Sequence, residues 1–188
     1  MNVSDSARRT QDEWVALRCQ GGDPSAFEDL VSLMERPLLY YATKLTGNAE
    51  TALDVLHDVW MNAFRGIRNL RDPSSLRPWL YRITHRVAVS RIRQHVARER
   101  AVEMHAGTFD EAGDLSFTRE DAAMIHDALN ELGPKHREVL VLYFLEDFSL
   151  AEIASVVGCS EGTVKSRLHY AKREMKQLLS GGIYARSK

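Results

Sequence analysis

Cysteine is scarce in this 188-residue chain: only Cys19 and Cys159, far apart in sequence and in no ligand pattern. That count argues against a disulfide scaffold and against a thiolate metal site, and the pair reads as two small buried residues of a reducing compartment. Long apolar runs are missing as well. Nothing approaches the roughly 20 residues that span a bilayer, and Met1 to Glu13 lacks the apolar core of a secretory signal. Net charge is almost absent, with 25 basic against 26 acidic residues, so any pull on a polyanion must be local. Strand alternation is missing too; the β-branched residues fall into helical stripes. No phosphate-cradling G-x-x-x-x-G-K loop and no nucleophile elbow occurs. Of seven histidines, only His95 has a possible ligand four residues away, Glu99, and that pair sits among arginines that repel a cation. The expectation is a cytoplasmic, all-α protein that is not an enzyme, does not insert in a membrane and needs neither metal nor cofactor.

What is present is helical periodicity and local charge. Ser149 with Glu152 forms a capping box, and Leu150, Ile153, Ala154 and Val157 follow on one apolar face. Gly158-Cys159 stops that helix, since glycine supplies the left-handed conformation of a sharp reversal. Ser160 caps the next helix, where Val164, Leu168, Ala171, Met175 and Leu178 form one stripe. Lys165, Ser166, His169, Lys172 and Arg173 then point elsewhere. A short helix, a glycine turn and a basic outer face make the helix-turn-helix pattern, whose second helix enters a DNA major groove. The alternative is a plain helical hairpin with a solvated face. From Ser160 onward seven basic residues oppose only Glu161 and Glu174, which favours nucleic acid, because phosphate contacts release counterions.

The first half reads as four helices. Gln11–Gln20 ends at Gly21-Gly22. Asp23 caps a second helix with Pro24 at its first position and a stripe of Phe27, Leu30, Val31, Met34, Leu38, Tyr41 and Leu45; Pro37 inside it predicts a kink. Ala49–Phe64 follows, with Leu56, Val59, Trp60, Ala63 and Phe64 inward. After a turn-rich loop, Asn69 to Ser75, a long helix starts near Leu76 and passes Arg93, with Leu80, Ile83, Val87 and Ile92 inward and Arg77, Arg82, Arg86 and Arg93 outward. Between Arg65 and Arg100 lie ten arginines and only two acids, Asp72 and Glu99. Trp79 and Tyr81 sit among them, a mixture suited to unpaired nucleic acid, although Trp79 could equally be core. The loop's short polar side chains could hydrogen-bond an extruded base. Asp54 and Asp58, four apart on one helix, could be a carboxylate pair for metal or acid–base work, but nothing completes such a site; an acidic, aromatic docking face is the other option. Glu103 to Ser116 is acidic and aperiodic, the composition of a flexible tether. Helices resume at Phe117 and, after Gly133-Pro134, at Lys135–Phe144. Domain expectations are residues 11–97, a linker at 98–117, and 118–180.

Three stretches in this order carry a resemblance: Ala52 to Phe64, Arg77 to Ile83, and Leu132 through Leu168. The chain resembles bacterial RNA polymerase sigma factors of the extracytoplasmic-function type, within the sigma-70 family. The resemblance implies region 2 in the first domain and region 4 in the second. It implies that Asp54, Leu56, His57, Asp58 and Trp60 grip the β′ clamp helices of core polymerase, with the β flap as a further contact. Asn69, Asp72, Ser74, Arg77, Trp79, Arg82 and Arg86 would melt and read the −10 element. Ser160 and Thr163 would open the −35 reader, with Lys165, Ser166, His169 and Tyr170 at base edges and Arg167, Lys172 and Arg173 at phosphates. Relatives often carry Asn at Arg86, an acidic residue near Ser90, and Gln-Glu at His57-Asp58. The implied partners are core RNA polymerase, promoter DNA and an anti-sigma factor. The other functional readings are a free-standing helix-turn-helix regulator of a duplex operator and, with no catalytic constellation to support it, an enzyme acting on nucleic acid.

Overall fold

The computed structural model describes the backbone of residues 3–101 and 119–186, and the side chains of 7–95 and 124–180. The described residues are all-α, with no strand, and the chain divides into two compact units, residues 1–109 and 110–188.

In the first unit, α1 (Val3–Gln20) starts eight residues before the expected Gln11. Its first turns carry no apolar periodicity, and of them Ala7, Arg9 and Thr10 are exposed, so no stripe betrays them. Asp12, Val15, Ala16 and Cys19 form its buried side. In α2 (Pro24–Thr46), Asp23 caps the Ser25 N–H and Gly47 closes the helix at φ 69°. The helix continues through Pro37 as one element. Helix α2 packs on α3 (Ala49–Gly66) and α4 (Leu76–Ala101), and Leu30, Met34, Leu38 and Tyr41 of α2, Val55 and Val59 of α3 and Leu80 of α4 are all essentially dry. Burial of each larger side chain contributes roughly 1.5–3 kcal/mol. Between α3 and α4, two short 3-10 turns, Ile67–Asn69 and Pro73–Ser75, shape the loop.

Several expectations need correction. Trp60 is only half-buried and Phe64 is 64% exposed, so the inward face of α3 is narrower than its apolar residues suggest. Tyr81 is wholly buried, 5.0 Å from the Tyr41 ring, and is core rather than a stacking surface. Val87 and Ile92 are half-buried, whereas Thr84 and Ala88 are dry. Helix α4 runs to Ala101 and so occupies the first four positions of the expected tether. The acidic stretch, from Glu103 to Ser116, and the resumption of helix at Phe117 lie outside the described residues.

The second unit comprises α5 (Arg119–Glu131), α6 (Pro134–Phe144), α7 (Leu150–Val157) and α8 (Glu161–Arg186). Arg137 ties α6 to the end of α5, donating to the carbonyls of Leu129, Asn130 and Leu132 at 2.8, 2.6 and 3.0 Å. Asp147 takes φ 56° in the turn before α7, a conformation that short Asp tolerates. The Ser149–Glu152 capping box is complete, with both reciprocal hydrogen bonds present. Gly158 adopts φ 69°, and the Gly158 and Cys159 amides both close on Ala154 O. Val156 is buried while the expected Val157 is half-buried, and Cys159 in the turn is half-buried too, unlike buried Cys19. Val164, Leu168 and Ala171 form the dry stripe of α8; Met175 and Leu178 are half-exposed.

Candidate functional site

Helix α3 starts on the Asn48 cap, which accepts from the Thr51 amide at 2.8 Å. With Ala52, Val55, Val59 and Ala63 turned into the core, Asp54 and His57 are exposed and Asp58 is half-exposed on the opposite side. Leu56 does not join them: it is 4% exposed and packs inward. Trp60 lies at the border, its ring edge-on to Phe27 at 6.1 Å, and Phe64 meets the same ring at 5.2 Å. The Trp60 indole N–H is buried without a hydrogen-bond partner. Exposed Leu53 and Met61 extend this face. The surface is therefore acidic with an apolar margin. Its carboxylates are not bare, because Arg91 of α4 pairs with Asp58 at 2.6 Å and reaches Asp54 at 3.8 Å. Both carboxylates favour the charged Arg91, Asp58 more strongly, and hold its pKa above the usual arginine value. Sequence reasoning missed Arg91, since 33 positions separate it from Asp58 and no periodicity links them.

The loop before α4 is polar and internally braced. Asp72 accepts from the Ser74 amide at 3.1 Å and from the Ser74 and Ser75 hydroxyls at 2.6 Å each. Those serine hydrogen bonds, Ser74 first, keep the Asp72 carboxyl below the ordinary carboxylate range. Asp72 and Ser74 are thus exposed but spent largely on each other, whereas Asn69 and the neighbouring Arg71, which sequence reasoning passed over, are exposed at the tip. Arg77 is not outward. It is ion-paired with buried Asp12 of α1, and burial pushes the Asp12 carboxyl up although Arg77 draws it down. Trp79 is half-buried against Gly66, where an added Cβ would lie 3.1 Å from the ring; glycine permits that approach. Arg82, Arg86, Ser90 and Arg93 are exposed along α4. The basic face is real but is carried by fewer residues than the spacing suggested.

On α8, Ser160 caps the helix by accepting from the Thr163 amide at 3.2 Å, and the two hydroxyls lie 2.9 Å apart. Both residues therefore serve the helix start. Ser166 donates to Gly162 O at 3.0 Å. Lys165, Ser166, His169, Tyr170, Lys172 and Arg173 are all exposed, and Arg167 is half-buried. At about 100° per residue, Lys165, His169, Lys172, Arg173 and Ser166 fall within about one third of the helix circumference. Lys172 sits over the Tyr143 ring at 4.7 Å and Phe144 at 5.1 Å, and Arg173 over Tyr170 at 5.5 Å. These cation–π contacts orient the cations without neutralising them. His136 of α6 meets Glu174 at 2.8 Å on the flank.

Among the described residues no group of three or more His, Cys, Asp or Glu could hold a metal ion, and no helix is long and apolar enough to cross a membrane. Two family models match the chain: sigma-70 region 2 over residues 30–98 and sigma-70 region 4 over 122–175. The RNA polymerase sigma-H factor of Pseudomonas aeruginosa is 30% identical over 185 residues, 90% of this chain and 94% of that protein. The ECF RNA polymerase sigma factor SigL of Mycobacterium tuberculosis is 34% identical over 147 residues, covering 74% and 80% respectively. The chain belongs to the sigma-70 family, in its extracytoplasmic-function group. Two solved sigma-factor complexes share its fold: CnrH with the cytosolic domain of CnrY, at TM-score 0.65, 25% identity and coverage of 90% and 97%; and RpoE with the anti-sigma factor NepR from Bartonella quintana, at 0.67, 26%, 83% and 98%. In this sigma factor, the region 2 match begins within α2, so α1 lies outside both matched segments.

Proposed function

We propose that this sigma factor directs promoter-specific initiation by docking on core RNA polymerase through the α3 face and presenting two DNA-reading surfaces. Asp54, His57, Asp58 and the margin of Trp60 meet the β′ clamp helices, and the region 4 unit meets the β flap. The exposed loop residue Asn69, with Arg82 and Arg86 of α4, captures unpaired bases of the −10 element, on a loop that Asp72 and Ser74 brace from within. Arg77 and Trp79 shape that surface from within. Lys165, Ser166, His169 and Tyr170 read −35 base edges in the major groove, while Arg167, Lys172 and Arg173 hold phosphates. Ser160 and Thr163 set the start of that helix. Binding only the open form favours strand separation, because a ligand shifts an equilibrium by its differential affinity.

The observation that carries this reading is the capped helix-turn-helix with its outward cations, in the same chain as a region 2 unit with an exposed acidic face. An anti-sigma factor is the expected further partner, by likeness to the complexed relatives, and the working compartment is the cytoplasm. The deciding experiment mixes the purified chain with sigma-free core polymerase and measures promoter-dependent initiation. Transcription from a defined start is expected. A chain that binds duplex operator tightly by itself and leaves the polymerase inert would instead be a free-standing regulator.

A further inference from the structure

Helix α1 lies outside both matched segments, yet it holds both ends of the loop that precedes α4. At the near end, the Gln20 carboxamide donates to Leu70 O at 2.6 Å and to Ile67 O at 3.3 Å. At the far end, Asp12 takes the Arg77 guanidinium in a buried pair. The last turn of α1 is itself anchored. Arg18 lies over the Trp14 ring at 4.4 Å and pairs with Asp23 and Asp29 at the start of α2, with a further hydrogen bond to Ser25. Gly22, at φ 79°, makes the reversal that brings these groups together. Gln20 therefore projects from a fixed point onto the loop.

We propose that Gln20 is a positioning residue for capture of an unpaired −10 base. Its two donated hydrogen bonds hold the 67–70 turn in the conformation that presents Asn69 and Arg71 outward. Within the loop the Leu70 amide also closes on Ile67 O, while the Asp72 cap and the Ser75 amide on Asp72 O lie beyond the tip. Without Gln20 the tip samples other conformations, and a base that binds one of them must bear the cost of ordering it. The inference rests on the reading of this loop as a −10 base reader.

The test uses holoenzyme reconstituted with Gln20→Glu, Gln20→Leu and, as a check on the loop itself, Asn69→Ala. Gln20→Glu keeps the shape but places an acceptor against two carbonyls; Gln20→Leu removes the donor without adding charge. The probe is the labelled non-template single strand of a promoter that the wild-type holoenzyme transcribes, together with versions substituted at each base. Both Gln20 variants are expected to weaken single-strand binding about tenfold, the scale of one or two net hydrogen bonds, and to flatten the preference among bases. Affinity for core polymerase and for a duplex −35 fragment should stay within about twofold, as for sites that share no partners. Retention of affinity and base preference by the Gln20 variants, alongside loss in Asn69→Ala, overturns the proposal but not the loop assignment. Parallel loss of core affinity and thermal stability overturns it in favour of a purely structural role. No effect from Asn69→Ala or from either Gln20 variant overturns the loop assignment and the proposal together.

Discussion

Asp58 is half-exposed on α3 and shares Arg91 with Asp54, so one guanidinium tempers a face that two carboxylates would otherwise make strongly acidic. A partly exposed pair of this kind contributes about 0–1 kcal/mol, so folding depends on it little. Asp58→Arg is therefore expected to keep its thermal transition within a few degrees while losing binding to core polymerase, as a pull-down or anisotropy titration would reveal; a folded variant that binds normally removes α3 from the docking surface. Lys165 is exposed on α8. Lys165→Ala should lower transcription through −35 use, so that promoters differing only at −35 lose their ranking while −10 preference is kept. An effect confined to −10 changes would reassign the helix. Asp72 supplies a pH signature. Its serine hydrogen bonds place the folded pKa below the unfolded value of about 3.9, so the ionised form is favoured in the fold. The stabilisation is fully present above that unfolded value and is lost as pH falls through the folded one. Amide shifts of Ser74 and Ser75 should move only as pH falls through the folded pKa, below the unfolded value, and Asp72→Asn should abolish the step. Leu56 and Phe64 show the limit of sequence at this scale. Both are apolar residues of an amphipathic helix, but one is buried and the other is exposed, because the width of the buried arc depends on what packs against it.

At the scale of elements, local chemistry was readable wherever a side chain acts on its own backbone. Asp23 and Ser160 cap as their types prescribe, Ser149 with Glu152 closes a box, and Gly158 ends its helix in the left-handed conformation. Ser149→Ala is expected to cost about 1 kcal/mol, which lowers the melting temperature of the second unit by about 4–8 °C for a domain of that size. Calorimetry on the full chain would register the change in one transition; an unshifted transition would mean that the Glu152 amide finds another acceptor. Less legible were elements defined by distant contacts. The polar first turns of α1 have no stripe to display. The carbonyls of Ile67 and Leu70 are held by Gln20, 47 and 50 positions away in the chain.

For the whole molecule, each unit offers only a small cationic surface on a nearly neutral chain. Phosphate contacts supply most of such affinity and weaken with salt. The lone chain is expected to bind promoter duplex weakly at physiological salt, and core polymerase to raise apparent affinity about 10²–10⁴-fold by setting the spacing of the two units. Gel shifts with and without core polymerase measure this directly. Nanomolar binding by the lone chain, unchanged by core, would contradict it.

Sequence alone determined what depends on near neighbours: the all-α class, the helix caps and turns, the basic outer face of α8, and the family, whose motifs are short and contiguous. Tertiary structure decided what depends on residues far apart in the chain. It turned Arg77 inward onto Asp12, placed Tyr81 against Tyr41, gave Arg91 to the α3 carboxylates, and made α1 the support of the loop. The physical reason is the same in each case. A cap or an amphipathic stripe is set by the backbone's own repeat, whereas an ion pair between two helices exists only once the core has set the distance between them.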